Sequence, residues 1–123
     1  MFRLRPKAHL EKAERNKDFV INRLMALADK FPEWVSTVAF YSALHFVAAY
    51  LVKEHGLHFK DHEERNKAVV LHLGEITLEY ERLYDLALNS RYGSIKDNPE
   101  PGEAEDAVRI ELARIEDFVR SHL

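Results

Sequence analysis

Seven histidines and no cysteine set the terms for any chemistry in this 123-residue chain. Without thiols there is no disulfide framework, no thiol nucleophile and no Cys-based zinc or iron–sulfur site. His55, His58 and His62 run as H-x2-H-x3-H with Asp61 adjacent, and three imidazoles in one short segment can ligate zinc. They straddle a loop rather than a rigid frame, so the plainer expectation is a histidine-bearing connection with no metal and no cofactor. His45 stands on an otherwise apolar stretch, where a hydrogen-bonded core histidine is the expectation. As a functional group it would line a cleft beside His62. No Gly-rich phosphate loop and no nucleophile elbow is present.

The element that must position these residues is the stretch 33–54. From Trp34 to Val52 it carries nineteen residues without formal charge. At 100° per residue, Val38, Tyr41, Ala48 and Val52 fall on one side, and Phe40, Leu44, Val47 and Leu51 on another. A helix apolar nearly all round must be covered on most sides. Its length approaches that of a membrane span, but Ser36, Thr37, Ser42, His45 and two tyrosines argue for the centre of a soluble bundle and against a membrane.

Around it the pattern predicts four more helices. Residues 6–30 are amphipathic, with Ala13, Val20, Leu24 and Leu27 recurring at helical steps and Ile21 and Ala28 widening the stripe. Pro32 separates this helix from the central one, and Gly56 is the expected stop after it. Asp61 reads as an N-cap, with Glu64 three residues on completing a capping box. That third helix runs through Ala68, Val69 and Leu71 to about Leu73, with Gly74 as a left-handed terminator. A fourth, from about Ile76, puts Ile76, Tyr80, Leu83 and Ala87 on one side. The loop 93–102 holds two prolines and two glycines. A last helix turns Val108, Leu112, Ile115 and Val119 inward. The expected fold is all-α, a four- to five-helix up-and-down bundle forming a single domain, 1–123.

Composition is that of a folded soluble domain: 46% hydrophobic and 32% charged, net charge −3. That balance excludes a broad cationic nucleic-acid surface, and DNA is not an expected partner. Charge is uneven, however. Residues 1–30 carry eight basic and four acidic side chains, and residues 93–123 four basic and eight acidic. Such asymmetry either steers RNA phosphates to one end or lets the first and last helices attract each other, and the second is the plainer reading. Arg3 and Arg5 are followed by no apolar run of a secretory signal, so the cytoplasm is the expected compartment.

The run WVSTVAFYSALHFVAAYL (34–51) resembles the second helix of the HEPN superfamily of small helical-bundle domains. The resemblance rests on Phe40-Tyr41, Ala43, His45 and Ala48-Ala49, then on His62-x-x-Arg65, then on Ser90-Arg91-Tyr92 closing the fourth helix. It covers roughly residues 30–93. It implies a bundle that forms a homodimer, a cytoplasmic role in toxin or stress systems, RNA or a nucleotide as ligand, and a nucleotidyltransferase-type partner protein. For the catalytic branch it implies metal-independent endoribonuclease activity through a motif R-x4-6-H. The alternative within the same resemblance is a non-catalytic module that binds a nucleotide or a partner.

That motif falls here on Arg65 and His72, with six residues between and Asn66 in the polar second position. Arg3 and His9 also fit it, with five between. The resemblance makes His72 the general base or acid for attack of a ribose 2′-hydroxyl on its phosphate. Arg65 binds the phosphate and stabilises the phosphorane, and Asn66 orients phosphate or imidazole. The products are a 2′,3′-cyclic phosphate and a 5′-hydroxyl. Seven residues is close to two helical turns, so Arg65 and His72 share a face about 10 Å apart along the axis. Arg65 leans away from His72, so two copies about a twofold axis are needed to bring one Arg65 to the other's His72. The plainer alternative has His72 placed against the helix dipole and Arg65 paired with Asp61 or with a carboxylate of the fourth helix.

Overall fold

The computed structural model describes residues 3–123, and over them the chain is an all-α bundle of five helices with no strand. Helix α1 is α-helical over Pro6–Phe19 and continues through a π turn, Val20–Leu24, and a 3-10 turn, Met25–Leu27. Helix α2 spans Pro32–His55, α3 His62–His72 and α4 Thr77–Tyr92. Helix α5 covers residues 101–121, with α-helical segments Pro101–Asp106 and Ala113–Ser121 around a second π turn, Ala107–Leu112.

Helix α2 is the centre, in contact with α1, α4 and every segment of α5. Pro32 sits in its first turn, where a missing N–H leaves nothing unsatisfied. By length and composition it is apolar enough to cross a membrane, yet 67% of its most apolar window is buried inside the bundle. The two sides of this helix are not equivalent. Phe40, Leu44, Val47 and Leu51 are buried, whereas Val38, Tyr41, His45, Ala48 and Val52 form a half-open stripe. Small residues let α1 approach: the Ser42 hydroxyl donates to the carbonyl of fully buried Ala13 at 2.7 Å. Lys17–Glu116, at 2.8 Å, joins the basic first helix to the acidic last one as their opposite charge led us to expect, and Arg120–Glu14 adds a bridge of reversed sign.

Other expectations change on folding. In α1 the π turn shifts the helical phase, so burial passes from Ala13 and Val20 to Ala28, while Ile21 and Leu27 are exposed. Leu71 is 76% exposed, since α3 covers the bundle through Arg65, Ala68 and Val69. Gly74 adopts no left-handed conformation; it opens a 3-10 turn, Gly74–Ile76, that leads straight into α4. Trp34, at the start of the central helix, is 58% exposed. Half of the capping box forms, the Glu64 amide donating to Asp61 Oδ1 at 2.8 Å. The loop 93–102 is more ordered than its glycines and prolines suggest: Ser94 and Asp97 cap a 3-10 turn, and Asn98 donates to Glu33 Oε2.

Candidate functional site

The sequence builds a cleft where α2 ends. Gly56 takes φ 63°, and the Leu57 amide closes back on the Leu51 carbonyl at 3.1 Å. This glycine-dependent reversal is the Schellman cap. It folds residues 57–60 back beside α2, so that His58 and Phe59 line the cleft with Leu44, His45, Ala48, Leu51 and Val52. The first turn of α1 adds His9, the segment before it Arg3, and the first turn of α3 Arg65. The cavity measures about 260 Å³. Among the described residues no Asp or Glu lines it, whereas Arg3, Lys60 and Arg65 do.

Arg65 is the anchor. It is 9% exposed, its Nη2 donates to the Phe59 carbonyl at 3.1 Å, and its Nη1 lies 3.2 Å from His62 Nδ1. The buried Tyr80 hydroxyl lies beside the same guanidinium without closing a well-aligned hydrogen bond, and burial pushes its phenol above the ordinary value. The expected ion pair with Asp61 or an α4 carboxylate does not form. Asp61 instead caps α3, and among the described residues no carboxylate approaches Arg65 within 4 Å. A buried cation without a counter-ion carries an uncompensated desolvation cost, which an anion entering the cleft removes.

In the same cleft, His9 and His45 meet Nδ1 to Nδ1 at 3.0 Å. Both rings are half-buried, and burial together with the cations around them lowers each pKa to about 4. After burial, His58, Arg65 and Lys12 lower His9, and His9, Lys12 and Arg65 lower His45. His62 is lowered as well, by burial, then by Arg65 and Arg91, with Asp61 opposing. The pair is therefore neutral at pH 7, and one Nδ1–H must donate to the other Nδ1 lone pair. A neutral pair joined in this way presents one Nε2 lone pair and one Nε2–H, a base and an acid side by side.

The same shift makes folding pH-dependent. The unfolded chain titrates these imidazoles near 6.5 and the folded one near 4, so the unfolded chain binds more protons between those values. Stability is complete above about pH 6.5, falls as the pH drops, and levels off below about pH 4. For half-exposed groups the loss is on the order of 2 kcal/mol. Urea midpoints measured across this range check it, and the double variant His9→Leu/His45→Leu should flatten the slope.

The other candidate residues go elsewhere. His72 is half-buried at the end of α3 and stacks on His55, ring centroids 3.9 Å apart. Neither contacts Arg65, so one chain does not bring Arg65 and His72 together. Asn66 Oδ1 is buried without a hydrogen-bond partner. The three histidines of H-x2-H-x3-H separate, His55 to His72, His58 to the cleft and His62 to Arg65. Among the described residues no three of His, Asp and Glu stand close enough to hold a metal ion. His45 does line a cleft, with His62 behind it on Arg65. Arg3 and His9, the second fit to the arginine–histidine spacing, line it too. Their signal in the sequence was that spacing, which gives no hint that α1 packs beside His45. Comparison of the chain with family models, with curated proteins and with solved structures gives no match.

Proposed function

We propose that this chain is a HEPN-like metal-independent endoribonuclease that takes an RNA phosphodiester into the α1–α2–α3 cleft. The observation that carries the reading is Arg65, a buried guanidinium with no carboxylate partner, sharing with a neutral imidazole pair a cavity that has no acidic lining among the described residues. Arg65 binds the phosphate and stabilises the charge that grows on its oxygens in the phosphorane. The Nε2 lone pair of the His9–His45 pair takes the proton of the ribose 2′-hydroxyl as its oxygen attacks phosphorus. The Nε2–H of the other ring gives a proton to the departing 5′-oxygen. Transfer of the shared proton between the two Nδ1 atoms leaves both rings neutral with their tautomers exchanged. The 2′-oxygen–phosphorus bond forms, the phosphorus–5′-oxygen bond breaks, and the products are a 2′,3′-cyclic phosphate and a 5′-hydroxyl.

His72 remains the candidate of the family spacing, acting from a second copy of the chain. The separation of His72 from Arg65 within one chain also favours a second reading, a module that binds RNA or a nucleotide in the cleft without cutting it. One experiment separates these readings. Single-stranded RNA is incubated with the purified chain in EDTA, as wild type and as His45→Ala and His72→Ala. Cleavage to cyclic phosphate ends that is lost in His45→Ala supports the imidazole pair. Loss in His72→Ala with His45→Ala active returns the site to a shared dimer groove. RNA that binds but stays intact favours the module.

The pH profile offers an independent check. With the pair as base, the acidic limb of kcat/KM falls at about pH 4, the value of His9 and His45. An unperturbed imidazole puts it near 6.5.

A further inference from the structure

A second guanidinium in this bundle has been left without a counter-ion. Three basic side chains are not exposed: Lys17, Arg65 and Arg91. Lys17 pairs with Glu116 at 2.8 Å. Among the described residues no carboxylate reaches Arg65 or Arg91 within 4 Å, so the two least hydrated arginines both lack a carboxylate partner. Arg91, in the last turn of α4, donates from Nη1 to the Tyr41 hydroxyl, and its Nε is buried with no partner. Its guanidinium carbon lies 5.6 Å from the Tyr41 ring centroid and 5.2 Å from that of Tyr92. Tyr92 is 76% exposed. The helix dipole offsets part of the Arg91 charge, but it supplies no acceptor for the buried Nε–H.

Arg91 and the cleft are joined by named contacts. Tyr41 stands one helical turn before His45 on the half-open stripe of α2. His62, bonded to Arg65, packs on Phe40 and on Tyr84 of α4, with ring centroids 5.7 and 5.6 Å apart. After burial, both arginines lower the His62 pKa, with Asp61 opposing them. Contacts thus run from Tyr92 and Arg91 at the end of α4 through Tyr41 and the buried Phe40 ring to His62 and Arg65 at the cleft. A guanidinium held between aromatic rings next to an exposed tyrosine is what a single-stranded nucleic acid uses, phosphate on the cation and base on the ring.

Building on the cleft as an RNA site, we propose that Arg91 and Tyr92 form a second subsite, which holds the phosphate and base of the nucleotide adjoining the one at Arg65. The preferred ligand is then a single strand of at least two nucleotides rather than a mononucleotide.

The test measures binding of two probes to the whole chain: a fluorescent single-stranded 2′-O-methyl RNA, which has no free 2′-hydroxyl to attack, and adenosine 3′-monophosphate. In Arg91→Ala the ratio of RNA affinity to mononucleotide affinity should fall about tenfold. The slope of log K against log salt for the RNA should shrink by about 0.7, the loss of one phosphate contact on a single strand. Tyr92→Ala removes an exposed ring and should lower the ratio without changing the slope, which keeps the test decisive if Arg91→Ala folds poorly. An unchanged ratio and slope in these variants, with both probes lost in Arg65→Ala, overturns the subsite and leaves the cleft reading standing. RNA affinity lost in Arg91→Ala but kept in Arg65→Ala overturns the cleft and, with it, the adjoining-nucleotide arrangement. Failure of the wild type to bind either probe overturns both.

Discussion

Arg65→Met is expected to abolish RNA cleavage while leaving the fold about as stable as the native chain. Arg65 is 9% exposed and meets no carboxylate, so its charge is a cost to the unliganded fold. Replacing a buried ionic group by an apolar side chain of similar volume is often neutral or stabilising. Against that gain stand the acceptors the substitution orphans, the Phe59 carbonyl and His62 Nδ1, at about 1 kcal/mol each or somewhat more. The two nearly cancel, and denaturant unfolding should put the variant within about 1 kcal/mol of wild type. Activity behaves differently, because removing one positioned donor to a developing oxyanion costs about a hundred- to a thousand-fold in rate. Arg65→Lys keeps the charge without the planar fork and should fall between the two. A variant that unfolds easily would assign Arg65 to structure; one that still cleaves RNA would remove it from the site.

Phe40→Ala should bring the largest loss of stability, about 3–5 kcal/mol by chemical denaturation. A domain of this size holds only about 5–15 kcal/mol in total. Phe40 is fully buried at the middle of α2. Its ring lies within 5.6–5.7 Å of Tyr41, His62, Tyr80 and Tyr84, so it supports α3 and α4 together. The cavity left behind would also unseat His62, and through it Arg65, so RNA affinity should fall with stability. Phe40→Leu keeps most of the apolar volume and should recover much of both. If stability drops and RNA affinity holds, the aromatic layer does not position the site.

Much of the scaffold could be read before folding because its signals are local. The uncharged run from Trp34 to Val52 had to be a covered helix, Gly56 had to stop it, and Asp61 had to start the next. Ile76 just before α4, Tyr80, Leu83 and Ala87 within it, and Val108, Leu112, Ile115 and Val119 in α5 are buried as their spacing required. Where the periodicity failed there is a mechanical reason. A π turn broke the phase of α1 and turned Ile21 and Leu27 outward, and a 3-10 turn replaced the left-handed stop expected at Gly74. Neither leaves a mark in a chain read at a constant 100° per residue.

The site itself was legible only in part. Arg65, singled out in the sequence, lines the cleft with His9, His45 and His58 and bonds His62, whereas His72 stacks on His55 away from it. Spacing along one helix says which side chains share a face. It does not say which other helix will cover that face, and here α1 brings His9 to His45 from 36 residues away. The amino-acid sequence by itself determined that this protein is a helical bundle about a buried apolar helix, because helix formation and amphipathic burial depend on neighbours within a few turns. Only the tertiary structure decided which charges are stripped of water and of partners. Desolvation and counter-ion pairing are properties of packing between distant segments, and they are what set Arg65, Arg91 and the two low-pKa histidines apart from the other ionisable side chains.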